Sequence, residues 1–276
     1  MSLRFINFNG ALLEDNTAVA PVNNPGLKYG FGLFETMLVH NKKVRLIDHH
    51  WERLNKSMMW LGFKECDLSH KVRFEELILK TVDANKITAF GKVRLQVFAY
   101  NKDGHLSNHF HPAYFIECSK ISVNEVVFNQ TGLAIGLSPD LKKCSGALSN
   151  IKSSNAINYV IAAAQCARNG WDDLLITNEE GLVVESSIAN VFVVKARKIY
   201  TPPLSSGCID GVMRRYLLEK IPSITQCSLT EAEILNADEV FLTNAIKGVK
   251  WVAKYKEASY GCEYTKAYVL PEISKI

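Results

Sequence analysis

Asn9-Gly10, set between the apolar runs Phe5–Phe8 and Ala11–Leu13, is the strongest short-range signal in the chain. A pair of residues that tolerates left-handed backbone, flanked by strand-like runs, specifies a tight hairpin and so an antiparallel start to a sheet. A second pair of runs, Phe34–Val39 and Lys43–Leu46, brackets a turn at His40-Asn41-Lys42. Asp48 is placed to cap a helix running to Leu61, with Leu54, Met58 and Leu61 on one face and Gly62 as the stop. Phe74–Ala84 reads as another helix. Lys92–Tyr100 and Ala113–Glu117 read as strands joined by the polar loop Asn101–His111. These alternations predict a small α/β domain over 1–117, a connection over 118–124 and a larger domain over 125–276.

The second region is richer in strands. Leu133–Leu137, Leu174–Thr177, Leu182–Glu185, Asn190–Val194 and Glu239–Thr243 are apolar runs of strand length. Ser153–Asn169 reads as a helix ended by Gly170, and Gly211–Ile221 as one stopped by Pro222. Thr230-Glu231-Ala232-Glu233 is a capping box. With 47% hydrophobic and 22% charged residues the composition is that of a globular protein. Its net charge of +4, from 32 basic and 28 acidic residues, is too balanced to argue for nucleic acid. No stretch approaches the roughly 20 apolar residues of a membrane helix, and Met1–Asn9 has no signal-peptide pattern. Seven scattered cysteines without a C-x-x-C pair read as reduced thiols, which implies a cytoplasmic protein.

Several motifs are excluded. Tyr29-Gly30-Phe31-Gly32 lacks the third glycine of a dinucleotide fingerprint. His49-His50 and His109-x-His111 lack carboxylate or cysteine partners at metal-ligand spacing. No G-x-S-x-G is present.

Among the residues able to do chemistry, Lys152 stands between a polar loop and a helix rich in Ala and Ile. Partial desolvation there lowers an ammonium pKa and frees the amine to attack a carbonyl. Glu185 lies between apolar pairs. It fits a solvent-facing strand end, or a partly buried carboxylate paired with a protonated heterocycle nitrogen. Arg53, on the predicted Asp48–Leu61 helix, is a surface charge unless it turns inward, where its fork suits a phosphate. Gly207–Arg214 leads a turn into a helix whose free amides suit the same anion. Thr243-Asn244-Ala245 follows a strand and offers further donors.

Taken in order, these segments resemble the class IV aminotransferases, the fold-type IV pyridoxal phosphate enzymes. The markers are Tyr29-Gly-Phe-Gly-Leu-Phe-Glu-Thr36, His50-Trp-Glu-Arg-Leu54, Ile151-Lys152 with Asn155, Glu185–Phe192, Tyr200-Thr-Pro-Pro-Leu204 and Gly211-Val-Met-Arg214. The resemblance implies an α/β fold (α+β) with a small α/β N-terminal domain and a larger pseudo-barrel C-terminal domain, with pyridoxal 5'-phosphate between them. It implies a homodimer acting on an amino acid and an oxo acid. Lys152 is similar to the Schiff-base lysine and proton shuttle, Glu185 to the pyridine-nitrogen partner and Arg53 to a phosphate anchor. Val212 and Met213 match amides that hold the phosphate, and Asn244 and Ala245 match a second phosphate loop. Transfer of an amino group from a branched-chain or D-amino acid is the first expectation. The alternatives are 4-amino-4-deoxychorismate lyase, whose threonine Thr36 matches and whose loop Asn244-Ala245 resembles, and a cofactor-binding protein without turnover. Phe31 replaces an acid common in the family. Gln96–Asn101 lacks the arginine that family members use on the chorismate-derived substrate. The carboxylate trap of some D-amino acid enzymes is not visible, although His105, His109 and His111 lie nearby.

Overall fold

The computed structural model describes residues 4–21, 24–100 and 110–276. His105, His109 and most of the Asn101–His111 loop lie outside the described residues. The chain forms two compact units: residues 1–123 with 152–155, and residues 124–151 with 156–276.

The first unit is built on one sheet. Strands β1 (Phe5–Phe8) and β2 (Ala11–Glu14) are joined through Asn9 and Gly10, both at positive φ (47° and 87°), as the sequence predicts. A short helix α1 (Pro25–Tyr29) leads to β3 (Gly32–His40), which turns through Asn41 and Lys42 into β4 (Lys43–Val44). Helix α2 (Ile47–Trp60) begins one residue before Asp48. The predicted cap is corrected: Leu46, in left-handed backbone, takes that place, and Asp48 lies in the first helical turn. Helix α3 (Lys71–Ala84) and strands β5 (Phe90–Ala99) and β6 (Pro112–Lys120) follow, giving the sheet order β2-β1-β6-β5-β3-β4. Val93, Leu95 and Val97 point from β5 into the core with Phe74, Leu77 and Ile78 of α3, all fully buried. Cys118–Lys120, expected in the connection, instead complete β6 opposite Val93, Lys92 and Gly91.

The edge of β3 beside Gly32–Phe34 is completed by a distant piece of chain. Phe34 N donates to Lys152 O at 3.0 Å and Ser154 N to Gly32 O at 2.9 Å, around an antiparallel bridge between Leu33 and Ser153. Ser153 and Ser154, predicted helical, are therefore a bridge residue and a bend, and the helix starts only at Ile157. Gly32 is required by close approach: a Cβ there would lie 2.4 Å from Val97 O and 2.7 Å from Ser154 Oγ.

A buried network lies on the α2 side of β3. Glu35 is 1% exposed; its Oε1 accepts from Arg53 Nε (2.7 Å), and its Oε2 accepts from Arg53 Nη2 (2.5 Å) and meets His50 Nδ1 (2.6 Å). Burial alone would push the Glu35 carboxyl up, but the charge of Arg53 and the hydrogen bonds from His50 and Arg53 override it and hold the group down at about 2. Burial holds His50 below its ordinary value, so the neutral ring donates from Nδ1. Its Nε2 is buried with no partner among the described residues.

In the second unit, a helical turn α4 (Val123–Val126) precedes β7 (Leu133–Lys143) and α5 (Ile157–Asn169). Strands β8 (Asp173–Asn178), β9 (Val183–Ser186), β10 (Asn190–Lys195) and β11 (Lys198–Thr201) follow. Then come α6 (Val212–Lys220), β12 (Thr225–Gln226), α7 (Glu231–Leu235), β13 (Glu239–Asn244), β14 (Gly248–Tyr255), β15 (Ala258–Ser259), α8 (Glu263–Tyr268) and α9 (Leu270–Ile273). The sheet order is β12-β11-β10-β13-β14-β7-β8-β9, with β15 beside β14. Val183 N on β9 donates to Leu229 O, just beyond β12, at 2.7 Å, so the sheet curls until its two ends meet. Val191, Val193, Val240, Leu242 and Val252 alternate inward and pack with Tyr255. On the outer face Phe192 stacks on Phe241 at 4.9 Å between centroids. Gly170 ends α5 in left-handed backbone, and the Thr230–Glu233 capping box forms as predicted.

Glu35 titrates below its ordinary value of 4.5, so its contribution to stability is complete above that pH and is lost as pH falls toward about 2. Thermal melts between pH 6 and 3 will therefore show a steeper acid loss for the wild type than for Glu35→Gln. Arg53→Met leaves Glu35 as an uncompensated buried charge and will cost on the order of 3 kcal/mol in denaturant unfolding at neutral pH. Gly32→Ala forces a Cβ against backbone and will cost about 2 kcal/mol by the same measurement.

Candidate active site

The predicted residues fall into two groups, one on each unit. Lys152, Thr36 and Arg53 belong to the first; Glu185, Val212, Met213, Asn244 and Ala245 belong to the second.

In the first unit, alternation along β3 puts Phe34 and Thr36 on the face opposite Glu35. The backbone bonds to β3 carry Lys152 to this strand, and its Nζ lies 4.2 Å from the centroid of the Phe34 ring. The Lys152 charge is felt at His50 and opposes protonation there. Arg94, opposite Thr36 in register, places its guanidinium carbon 4.0 Å from the same Phe34 ring. Its Nη2 donates to Gln96 Oε1 at 2.9 Å, and Gln96 Nε2 donates to Ser154 Oγ. One aromatic ring thus carries two cations beside a hydroxyl-bearing residue, an arrangement suited to a carboxylate-bearing amine. Arg53 turns inward, with its Nε–Nη2 edge committed to Glu35. Phe31, where the family commonly has an acid, packs against Phe110 and Phe63 at 4.4 Å and 5.5 Å between centroids.

In the second unit, Glu185 is 3% exposed rather than a solvated strand end. A register shift between β8 and β9, where Ile176 faces Glu185 but Thr177 faces Val183, leaves Val184 as an extra residue and re-aims the strand. Glu185 Oε1 accepts from Tyr159 OH (2.6 Å) and from Lys143 Nζ, and Oε2 accepts from Ile209 N (2.8 Å). Burial, then the Glu185 charge, pushes the Tyr159 phenol far above its ordinary value, so it remains a donor. Asp173, raised by burial, anchors the residues after Glu185: it accepts from Ser186 Oγ (2.8 Å) and Ser187 Oγ (2.5 Å). Lys143, Tyr159 and Asp173 are not anticipated from sequence. A tyrosine in a helix of small apolar residues is the one signal available.

The same loop that supplies Ile209 N runs into α6. Asn150 ties it down, donating from Nδ2 to Leu204 O (2.8 Å) and Cys208 O (2.7 Å). Gly211 is the N-cap of α6 and offers no side-chain cap. A Cβ at Gly211 would lie 1.9 Å from Asn190 Oδ1. The N–H groups of Val212 and Met213 have no hydrogen-bond partner among the described residues. Thr243, paired with Asn190 across β10 and β13, has a buried hydroxyl oxygen without a partner among them. Asn244 Oδ1 accepts from Ile246 N (3.0 Å) and Lys247 N (2.7 Å), so its side chain shapes the turn around Ala245. Unsatisfied donors at a helix N-terminus, a close glycine and an orphaned hydroxyl fit a bound phosphate. The caged Glu185 carboxylate fits a ring N–H.

The sequence profile described as amino-transferase class IV matches residues 32–255. An aminodeoxychorismate lyase of Bacillus subtilis is 28% identical over 95% of this chain and 90% of its own. A D-alanine aminotransferase of Bacillus licheniformis is also 28% identical, over 86% of this chain and 83% of its own. A T.th. branched-chain amino acid aminotransferase, solved with N-(5'-phosphopyridoxyl)-L-glutamate, shares the fold with a TM-score of 0.83 at 20% identity, covering 100% of this chain and 96% of that one. This chain belongs to the class IV aminotransferase family, whose enzymes depend on pyridoxal 5'-phosphate.

Proposed function

We propose that this enzyme is a lyase of the 4-amino-4-deoxychorismate type, releasing pyruvate and 4-aminobenzoate. The observation that carries this reading is Thr36 on the same β3 face as the Phe34 ring that bears Lys152 and Arg94. Ala245, without a hydroxyl, and a lyase relative spanning nearly the whole chain support it. Amino-group transfer, the first expectation from sequence, is the second reading and is favoured by the D-alanine aminotransferase relative.

When bound, pyridoxal phosphate supplies an electron sink that weakens bonds to the amine-bearing carbon. Lys152 would hold the cofactor's aldehyde carbon, and its free amine would accept the proton from the amine-bearing carbon of the substrate. Glu185 accepts the ring N–H. Val212 and Met213 amides, the turn at Asn244 and Ala245, and Arg53 hold the phosphate. Arg94 would hold a substrate carboxylate, and as the ether C–O bond to the enolpyruvyl group breaks, Thr36 would relay the proton taken by Lys152 to the enolpyruvyl methylene carbon, which leaves as pyruvate. In the transfer reading, Lys152 returns its proton without loss of a substrate fragment. The enzyme works as a homodimer in the cytoplasm. An exposed apolar row on α5, Ile157, Val160 and Ile161, suits burial against a second copy, and no described helix is long and apolar enough to cross a membrane.

Incubated with 4-amino-4-deoxychorismate, the purified holoenzyme will release pyruvate and 4-aminobenzoate. Thr36→Val will slow this by about 100-fold, the scale of one lost proton donor. A keto acid formed from leucine or a D-amino acid, with no pyruvate from the chorismate-derived amine, would replace the lyase reading with the transfer one. Lys152→Ala will abolish the visible absorption of the bound cofactor; an unchanged spectrum would assign the anchoring amine to another lysine.

A further inference from the structure

The carboxylate of Glu185 is held by more than its role as an acceptor requires. A carboxylate offers about four lone-pair directions. Three are filled from within the second unit: Tyr159 OH and Lys143 Nζ on Oε1, and Ile209 N on Oε2. One direction on Oε2 is left. Lys143 is 11% exposed and Glu185 3%, so the ion pair is largely out of water. The Lys143 ammonium also lies 5.5 Å from the centroid of the Tyr159 ring, so the two donors support each other. Lys143 comes from the end of β7 and Tyr159 from the first turns of α5. Neither is near Glu185 in sequence.

We propose that Lys143 and Tyr159 are positioning residues that fix Oε1 of Glu185 and present Oε2 as a single, ionised acceptor for a ring N–H. This rests on the reading that Glu185 faces the ring nitrogen of pyridoxal phosphate. The cation beside Oε1 is closer to the carboxylate than to anything beyond Oε2. It therefore favours the proton on the ring side of the shared hydrogen bond over the proton on Glu185. Tyr159, kept protonated, gives its one O–H to Oε1 and leaves Oε2 to the ring N–H. Without either residue the carboxylate is free to turn, and its preference for a ring nitrogen over a ring carbon falls.

The test compares how tightly the apoprotein binds pyridoxal phosphate and its 1-deaza analogue, in which a C–H replaces the ring nitrogen, by fluorescence titration. Wild type will prefer the natural cofactor, and Glu185→Gln will remove most of that preference. Lys143→Met and Tyr159→Phe will each reduce the ratio of affinities by roughly tenfold, the effect of one charge-assisted hydrogen bond. Lys143→Arg will restore it. If Glu185→Gln leaves the ratio unchanged, Glu185 does not face the ring nitrogen and the underlying reading fails. If Glu185→Gln lowers the ratio but Lys143→Met and Tyr159→Phe weaken both ligands equally, the two residues are merely structural and the proposal is overturned.

Discussion

A carboxylate taken out of water must be met by donors or cations, and both units are arranged around that requirement. Glu35 and Glu185 are each almost fully buried, and each is met from elements distant in sequence. Leaving either one unpaired would cost several kcal/mol, more than most single contacts in a domain supply. The two solutions differ. Glu35 shares its charge with a forked arginine and a neutral histidine, which locks α2 onto β3 and fixes the Arg53 edge. Glu185 takes an ammonium, a phenol and a backbone amide, and keeps one direction open. The first arrangement is closed on itself and serves to hold. The second is incomplete by one partner, which is what an acceptor for a ligand must be.

The same contrast separates the residues proposed to hold a phosphate from the core. Buried donors in folded proteins are nearly all satisfied. Val212 N, Met213 N and Thr243 Oγ1 depart from that rule at one place, where β10 and β13 end beside Gly211. Departures gathered at the mouth of a helix are evidence of something that binds there. Asn244, by contrast, spends its side-chain oxygen on its own turn and its amide nitrogen on Ile188 O, so any role toward a ligand passes through the backbone it shapes.

Much of this is legible in the sequence where the physics is local. Asn9-Gly10, the Thr230 capping box and Gly170 at the end of α5 act within a few residues, and each forms as expected. Phe34, Glu35 and Thr36 stand in a recognisable motif, yet which of them face Lys152 depends on the pleat of β3 and on bonds to residues more than a hundred positions away. The helix predicted from Ser153 fails for that reason: pairing with β3 outweighs the local preference of Ser153 and Ser154. The burial of Glu185 is open in sequence because a bulge at Val184 breaks the period on which strand faces are read. Lys143 carries no pattern, and Tyr159 only that of a tyrosine in a helix of small apolar residues. Their role exists only because β7 and α5 converge on β9.

The return of residues 152–155 to the first unit has a bearing on how the protein is made. Residues 1–123 leave the ribosome well before Lys152 does, and until then the Gly32–Phe34 edge of β3 lacks its neighbour. An exposed strand edge is an invitation to pair with the wrong chain. Synthesis of residues 1–123 therefore yields an unfinished sheet, and the stretch that finishes it is the one bearing Lys152. In this chain, completing the first sheet and bringing Lys152 to β3 are the same event.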